Sequence, residues 1–146
     1  MGVSNSINIL LIEDDMVLIS LLRELLEKKG YNVIGEKNIV NIIKQLKTPS
    51  LSPDIDIVIT DFLYKGYPLG EEISRAIKTN YPHVPIILIS SSTVDVEDRI
   101  ELLVRQKIVD EFLRKPFAFP SLDGLLEKFK RNKNKNNNPP RLQAKI

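Results

Sequence analysis

Four short apolar segments of this chain are each followed by side chains that could do chemistry. These side chains are Glu13, Asp14 and Asp15 after the first segment, Asp61 after the second, Ser90 after the third and Lys115 after the fourth. If the segments are parallel strands, their carboxyl ends lie along one edge of a sheet, which is where ligands bind in open α/β folds. We therefore expect carboxylates, a hydroxyl and an ammonium to converge on one site.

Carboxylates held this close together need a counter-charge. Two negative charges about 5 Å apart repel each other by roughly 3 kcal/mol at an effective dielectric constant of about 20, and a third carboxylate either becomes protonated or recruits a cation. Oxygen ligands suit a hard divalent ion, and Mg²⁺ fits a site that also holds phosphate. Beside such an ion a carboxylate can attack phosphorus, while the lysine and the hydroxyl bind phosphate oxygens. The expected chemistry is phosphoryl transfer.

Five apolar segments of strand length alternate along the chain with five amphipathic segments. The predicted strands are Ile7–Ile12, Tyr31–Ile34, Ile55–Thr60, Ile86–Ile89 and Val109–Leu113. In the segments that follow them, apolar residues recur every three or four positions, which is typical of helices. Continuous apolar strands that alternate with helices indicate a parallel sheet covered by helices on both faces.

The ends of several helices are predicted from capping and helix-breaking residues. Asp15 is expected to cap the first helix and Asp95 the fourth. Gly30 is expected to end the first helix, at the position where glycine is favoured. The second helix should end before Pro49, and Pro120 suits the first turn of the fifth helix.

Composition and charge exclude several other classes of protein. Without cysteine, the chain has no disulfide, no thiolate metal ligand and no cysteine nucleophile. No apolar run approaches the roughly 20 residues that span a bilayer, and the N-terminus lacks the pattern of a secretory signal, so we expect a cytoplasmic protein. Residues 1–127 hold 14 basic and 19 acidic residues, whereas residues 128–146 hold seven basic residues and no acid. Because the positive charge is confined to the end, the domain itself is not expected to bind nucleic acid.

Four motifs resemble the receiver domain of two-component response regulators. They are ILLIEDD (Ile9–Asp15), IVITDF (Ile57–Phe62), PIILISS (Pro85–Ser91) and FLRKPF (Phe112–Phe117). The resemblance covers about residues 7–131, and it implies a flavodoxin-like three-layer α/β fold with five helices and a five-stranded parallel sheet in the order 2-1-3-4-5. Residues 1–131 would form the receiver domain, and the Asn/Lys-rich residues 132–146 would form a poorly ordered tail or linker.

The resemblance implies a role for each residue that matches a family motif. The implied roles are Mg²⁺ binding for Glu13 and Asp14, phosphoacceptor and metal ligand for Asp61, metal binding through the backbone carbonyl for Leu63, switch positions for Ser90 and Phe112, and phosphate pairing for Lys115. Pro116 follows the lysine through a peptide bond that is often cis in this family. Asp15 is then a neighbour of the acidic pair and a helix cap.

The implied function is that of a phosphorylation-dependent signalling switch rather than an enzyme. A sensor histidine kinase or a histidine phosphotransfer protein would donate a phosphoryl group to Asp61, with Mg²⁺ as cofactor. Ser90 and then Phe112 would respond, and the face of helix four, strand five and helix five would meet a downstream protein target.

Two alternatives stay open at this point. One is a degenerate receiver that binds partner proteins without phosphorylation. The other is a phosphatase with an aspartyl nucleophile, of the haloacid-dehalogenase type. That family expects an acid two residues after the nucleophile, where this chain has Leu63.

The chain departs from the family pattern after Asp61 and before the fifth strand. The family usually has a proline four residues after the phosphoacceptor and a glycine eight after it, whereas this chain has Lys65 four after and Gly70 nine after. The loop is therefore predicted to be one residue longer. Ser91 stands where a smaller residue is commoner, Phe112 lacks the hydroxyl of the frequent tyrosine, and the approach to strand five lacks the usual glycine.

Overall fold

The computed structural model describes residues 6–46, 55–91 and 93–136, in which five strands alternate with five helices. The strands are β1 (Asn8–Ile12), β2 (Asn32–Glu36), β3 (Ile57–Asp61), β4 (Ile86–Ser90) and β5 (Glu111–Arg114). The helices are α1 (Met16–Lys28), α2 (Ile39–Leu46), α3 (Leu69–Asn80), α4 (Val94–Arg105) and α5 (Phe119–Asn136). Within these described ranges, no helix combines the length and the apolar character that a membrane span requires.

All five strands pair in parallel and form one sheet in the order β2-β1-β3-β4-β5. The predicted flavodoxin-like α/β fold with this strand order is therefore confirmed. The register aligns the strand ends, since Asp61 pairs with Ile89 and Ser90 pairs with Arg114. Because the strands are parallel, the residues that follow β1, β3, β4 and β5 meet at one edge of the sheet.

The described residues up to Pro116 form one compact unit, and its main apolar core lies on one face of the sheet. The core joins strand residues to α2, α3 and α4, and its members include Leu10, Ile12, Val58, Ile86, Leu88, Ile39, Ile42, Leu46, Ile73, Ile77, Ile100 and Leu103. Helix α1 covers the opposite face of β2, because a Cβ on Gly35 would meet the side chains of Arg23 and Ile19. Within this unit, helices thus pack against both faces of the sheet.

Residues 117–136 form a second unit that consists mainly of α5. Its buried stripe contains Leu122, Leu126 and Phe129 at the predicted helical spacing, and Pro120 lies in the first turn. The helix continues to Asn136, which is five residues beyond the predicted end of the domain. Lysine, arginine and asparagine cost little inside a helix compared with glycine or proline. The domain boundary at residue 131 stays a prediction, and residues 137–146 lie outside the described residues.

The predicted ends of α1 are confirmed. The Asp15 carboxylate accepts hydrogen bonds from the backbone N–H groups of Val17 and Leu18, so it caps the helix. Gly30 follows the last turn with a left-handed φ of 94°, which glycine adopts without strain. The predicted stop of α2 at Pro49 lies outside the described residues.

The predicted cap of α4 was wrong, and the connection to β5 differs from expectation. Thr93 is extended and its hydroxyl accepts a hydrogen bond from Val96 N–H, whereas Asp95 lies in the first turn, where its charge favours the helix dipole. Lys107 adopts a left-handed φ of 61° after the helix, a conformation usually taken by glycine. The N–H of Val109 still bonds back to α4, so β5 begins two residues later than predicted.

Candidate functional site

Two of the three acidic residues after β1 lie at the sheet edge, and the third belongs to α1. Glu13 is fully buried and Asp14 is half-buried, whereas Asp15 is exposed and caps the helix. Carboxylate oxygens of Glu13, Asp14 and Asp61 all lie within 4.8 Å of one another. Strand pairing explains this proximity, because Glu13 and Asp61 each follow directly on the last residue pair between β1 and β3.

Lys115 reaches both buried carboxylates from the residue directly after β5. Its ammonium donates hydrogen bonds to Glu13 Oε1 and to Asp61 Oδ2, each at 2.9 Å. Its backbone N–H donates to the Ser90 carbonyl at 2.8 Å, which fixes the lysine to the end of β4. The bond between Lys115 and Pro116 is cis. The structure therefore brings three predicted carboxylates and the predicted ammonium into one site.

Burial strongly affects the proton affinity of these groups. Burial raises the pKa of Glu13 from an ordinary 4.5 to about 7, although the hydrogen bond from Lys115 opposes the shift. Burial also lowers the pKa of Lys115, but its hydrogen bonds to Asp61 and Glu13 outweigh burial and leave that pKa raised. The lysine is thus held as an ammonium, and burial makes it costly for Glu13 to carry a negative charge.

The donor set fits a hard divalent cation. All three carboxylates can turn an oxygen toward one point, and Mg²⁺ prefers oxygen ligands. A single ammonium cannot balance three ionised carboxylates. A divalent cation among these oxygens would remove that imbalance, and the stabilisation would be largest at the fully buried Glu13.

The loop after Asp61, predicted to be longer than in the family pattern, forms a tight hairpin. Tyr64 and Tyr67 exchange two backbone hydrogen bonds of 2.9 and 3.0 Å. Between them, Lys65 and Gly66 have φ angles of 52° and 84°. Two consecutive positive φ angles are typical of a type I′ turn, in which glycine is unstrained and lysine is not. The hairpin fixes the direction in which the Tyr64 side chain leaves the backbone.

Gly70 holds the start of α3 against the end of β3. Its N–H donates to the Phe62 carbonyl at 2.9 Å. A Cβ at this position would lie 2.2 Å from the carbonyl oxygen of Asp61 and 2.6 Å from Cα of Phe62, so only glycine fits without moving the backbone. The close approach limits movement of the Asp61 backbone from the α3 side.

Sequence reasoning missed Tyr64, whose hydroxyl lies between the strand ends that carry the site. The side chain is only 2% exposed. Its hydroxyl donates to the Ile12 carbonyl at 2.8 Å, accepts from the Asp61 N–H at 3.1 Å and contacts Thr60 Oγ1 at 2.7 Å. Burial raises the pKa of Tyr64, so the hydroxyl keeps its proton. The available signal was a tyrosine three residues after a strand-end acid, followed by a Lys-Gly turn.

The remaining predicted site residues lie in or just after β3, β4 and β5: Leu63 follows β3, Ser90 ends β4 and Phe112 lies within β5. Their predicted roles stay predictions. Ser90 is fully buried and its hydroxyl donates to the Ser91 carbonyl at 2.8 Å. Phe112 is partly buried against the main core. The N–H of Leu63 makes a long hydrogen bond of 3.4 Å to Asp61 Oδ1, which places its backbone beside the carboxylate.

The sequence matches a protein family and two curated proteins. The model of the response regulator receiver domain matches residues 9–127. The chain is 34% identical over 114 residues to the sensory transduction protein BceR of Halalkalibacterium halodurans, which covers 78% of this chain and 46% of that protein. It is 28% identical over 109 residues to the uncharacterized transcriptional regulatory protein YbdJ of Bacillus subtilis, which covers 75% of this chain and 44% of that protein. The chain thus spans less than half the length of these curated relatives.

Solved structures show the same fold. A response regulator receiver domain protein from Clostridium thermocellum has a TM-score of 0.71 and 26% identity, over 88% of this chain and 97% of that one. The response regulator protein TrrA from Thermotoga maritima, solved in complex with Mg²⁺-BeF, has a TM-score of 0.68 and 26% identity, over 84% of this chain and 98% of that one. With the family match over most of its length and the acidic, lysine-paired edge of its parallel sheet, this chain belongs to the family of response regulator receiver domains.

Proposed function

We propose that this domain is a phosphoryl-accepting switch of two-component signalling and that Asp61 is the residue that becomes phosphorylated. The observation that carries the proposal is the pair of 2.9 Å contacts from the Lys115 ammonium to Asp61 and Glu13. These contacts support the proposal because they bring Asp61, the proposed nucleophile, together with Glu13 and with the ammonium proposed to bind phosphate. The side chain of Asp61 keeps an exposed fraction of 9%, so it is not sealed off from solvent.

The proposed step is an in-line transfer from a phosphohistidine of a sensor kinase or a phosphotransfer protein. A carboxylate oxygen of Asp61 attacks phosphorus and forms an O–P bond, while the P–N bond to the imidazole breaks. The electron pair of that bond stays on the imidazole nitrogen, which takes up a proton and leaves as neutral histidine. Lys115 remains an ammonium and neutralises negative charge on the transferred oxygens.

Glu13, Asp14 and Asp61 are the residues proposed to hold Mg²⁺, with the backbone carbonyl of Leu63 as a further ligand. When bound, the ion supplies positive charge that reduces repulsion between the carboxylates and the incoming phosphoryl oxygens. The mutual proximity of the three carboxylates supports this cofactor. The Thermotoga maritima relative solved with Mg²⁺-BeF supports it by likeness.

Ser90 and Phe112 are the proposed switch residues. The Ser90 hydroxyl bonds to the neighbouring Ser91 carbonyl, and it would exchange this partner for an oxygen of the phosphoryl group. Phe112 lies two residues before the strand residue that pairs with Ser90, so a shift at the end of β4 can reach it. The proposed output is a population shift that changes binding of a downstream protein at the α4, β5 and α5 surface.

Beryllofluoride, a phosphoryl mimic, tests the proposal without a kinase. With Mg²⁺, it should raise the melting temperature of the wild-type domain and leave Asp61→Asn unmoved. Asp98→Asn, at an exposed position of α4, is the matched control and should respond like wild type. A wild-type melting curve that does not move would favour the phosphorylation-independent binding module. A hydrolytic role gains no support from the site, because Leu63 stands where an aspartyl phosphatase needs its second acid.

A further inference from the structure

We infer that Tyr64 is a positioning residue for this site and that its hydroxyl sets the relative position of the acidic end of β1 and Asp61. The expected effect of Tyr64 on phosphoryl transfer rests on the proposed phosphorylation of Asp61. The expected effect of Tyr64 on metal binding depends only on the proposed carboxylate ligands.

One hydroxyl connects the two strand ends that carry the carboxylates. It donates to the carbonyl of Ile12, the residue before Glu13, at 2.8 Å. It accepts from the backbone N–H of Asp61 itself at 3.1 Å. The hydroxyl thus supplements the direct pairing of β1 and β3 in holding the Glu13 and Asp61 backbones at their present distance.

The Tyr64 hydroxyl has three polar neighbours, which are the Ile12 carbonyl, the Asp61 N–H and the Thr60 hydroxyl. A phenol has one hydrogen to donate and two lone pairs that accept. Thr60 Oγ1 lies 2.7 Å from the Tyr64 oxygen and 3.1 Å from the Asp61 carbonyl. While Tyr64 donates to Ile12, the single Thr60 hydrogen is therefore available to either of these two acceptors. Thr60 is itself fully buried, so water does not compete for these bonds.

The surrounding structure leaves Tyr64 little freedom. The ring belongs to the main apolar core, and the Tyr64–Tyr67 hairpin fixes the backbone on its other side. The second tyrosine of the hairpin is different, because Tyr67 is 68% exposed. The chain thus offers two tyrosines in one turn, of which one lies between the strand ends and the other faces solvent.

Loss of the Tyr64 hydroxyl should affect the site rather than the fold alone. Tyr64→Phe keeps the ring in the core but removes the hydroxyl. The Ile12 carbonyl and the Asp61 N–H then each lose a hydrogen-bond partner, and a buried polar group without a partner is destabilising. We expect the ends of β1 and β3 to shift in response. Carboxylates that now lie within 4.8 Å of one another would lose the arrangement on which ion binding and attack on phosphorus depend.

The test compares Tyr64→Phe with Tyr67→Phe in the full chain, at a temperature where thermal melts show both variants to be folded. Two quantities are measured: the Mg²⁺ dissociation constant by titration, and the rate of phosphorylation by acetyl phosphate at saturating Mg²⁺. For Tyr64→Phe we expect weaker Mg²⁺ binding and a slower rate, each by on the order of 10- to 100-fold. Tyr67→Phe should match wild type in both.

A folded Tyr64→Phe with wild-type Mg²⁺ affinity and rate, and only a lower melting temperature, would overturn the inference. A wild-type protein that binds Mg²⁺ but never takes up phosphate would instead overturn the proposed function, while the Mg²⁺ titration still decides the role of Tyr64. If Tyr64→Phe does not fold, Thr60→Val removes one partner of the hydroxyl, together with the 3.1 Å contact of the threonine with the Asp61 carbonyl. We then expect Mg²⁺ affinity to fall by about threefold, and an unchanged affinity would count against the positioning role.

Discussion

The ammonium of Lys115 lies 2.9 Å from the Asp61 carboxylate, although 54 residues separate the two in sequence. Parallel strand pairing produces this contact, since Lys115 follows β5 directly and Asp61 ends β3, with β4 between them. The same ammonium also contacts Glu13. Lys115 therefore joins the proposed nucleophile to the proposed metal site.

Removal of this ammonium should slow the phosphorylation of Asp61. Lys115→Met deletes the charge that would stabilise the transferred phosphoryl oxygens, and loss of such a group typically costs on the order of 100-fold in rate. The rate with acetyl phosphate and Mg²⁺ is the measurement. Lys44→Met, at an exposed position of α2, is the control and should keep the wild-type rate. A Lys115→Met rate within about twofold of wild type would contradict the assigned role.

The acidic residues after β1 should differ sharply in their effect on Mg²⁺ binding. Even outer-shell partners of a metal site contribute about 10- to 100-fold in affinity, so Asp14→Asn, which removes a proposed ligand, should weaken Mg²⁺ binding by at least about tenfold. Asp15→Asn should leave affinity within about twofold, because asparagine also caps helices and Asp15 points to α1. Isothermal titration with MgCl₂ measures both. If both variants lost Mg²⁺ affinity equally, the assignment of Asp14, rather than Asp15, to the metal site would be wrong.

Gly70 should tolerate no side chain. In Gly70→Ala the new Cβ meets the Asp61 carbonyl oxygen at 2.2 Å, and relief of such a clash typically costs about 1–3 kcal/mol or more in the free energy of unfolding. Gly124→Ala is the matched control, because no atom lies within 4 Å of its added Cβ and α5 should gain about 0.5–1 kcal/mol from alanine. Urea unfolding of the two variants should therefore shift in opposite directions, and a neutral Gly70→Ala would contradict the close approach.

An ion-pair cluster between α3 and α4 should make stability depend on pH. The Arg99 guanidinium holds the pKa of Glu71 below its ordinary 4.5, with a smaller contribution from Arg75 in the same direction, although burial opposes them. Because the folded protein releases this proton more readily than the unfolded chain, the stabilisation is present above the unfolded pKa and is lost as pH falls through the folded one. The difference in unfolding free energy between wild type and Glu71→Gln should be constant near neutral pH and shrink below about pH 4.5.

The measurement is urea unfolding of both proteins over a pH series. Arg99→Gln should remove most of the same pH dependence, because Arg99 is the main cause of the shift. A difference between wild type and Glu71→Gln that does not change from neutral to acidic pH would show that the pair does not perturb Glu71.

The strand order and the charged site could be predicted because their signals are local and repeated. The strands that carry the site are mostly apolar, and Glu13, Asp14, Asp61 and Lys115 lie at the ends of three of them, so parallel pairing alone brings them together. The cap of α4 was less predictable, since Thr93 and Asp95 are both good capping residues and only the backbone conformation distinguishes them.

Tyr64 could not be assigned because its role depends on a turn and on a partner far along the chain. Its hydroxyl bonds to the carbonyl of Ile12, 52 residues away, and only the hairpin geometry at Lys65 and Gly66 directs it there. Gly70 was visible in the sequence as a displaced glycine. The reason for it, a close approach to the Asp61 carbonyl, is a property of backbone packing that residue types do not show.

The most direct test of the central claim is the phosphorylation of Asp61 itself. The protein is incubated with Mg²⁺ and acetyl phosphate, its intact mass is measured, and borohydride reduction then converts any aspartyl phosphate to homoserine for mapping by peptide mass. We predict a gain of one phosphoryl group, homoserine at position 61, and no gain in Asp61→Asn. No gain in the wild-type protein, or a gain that persists in Asp61→Asn, would contradict the account.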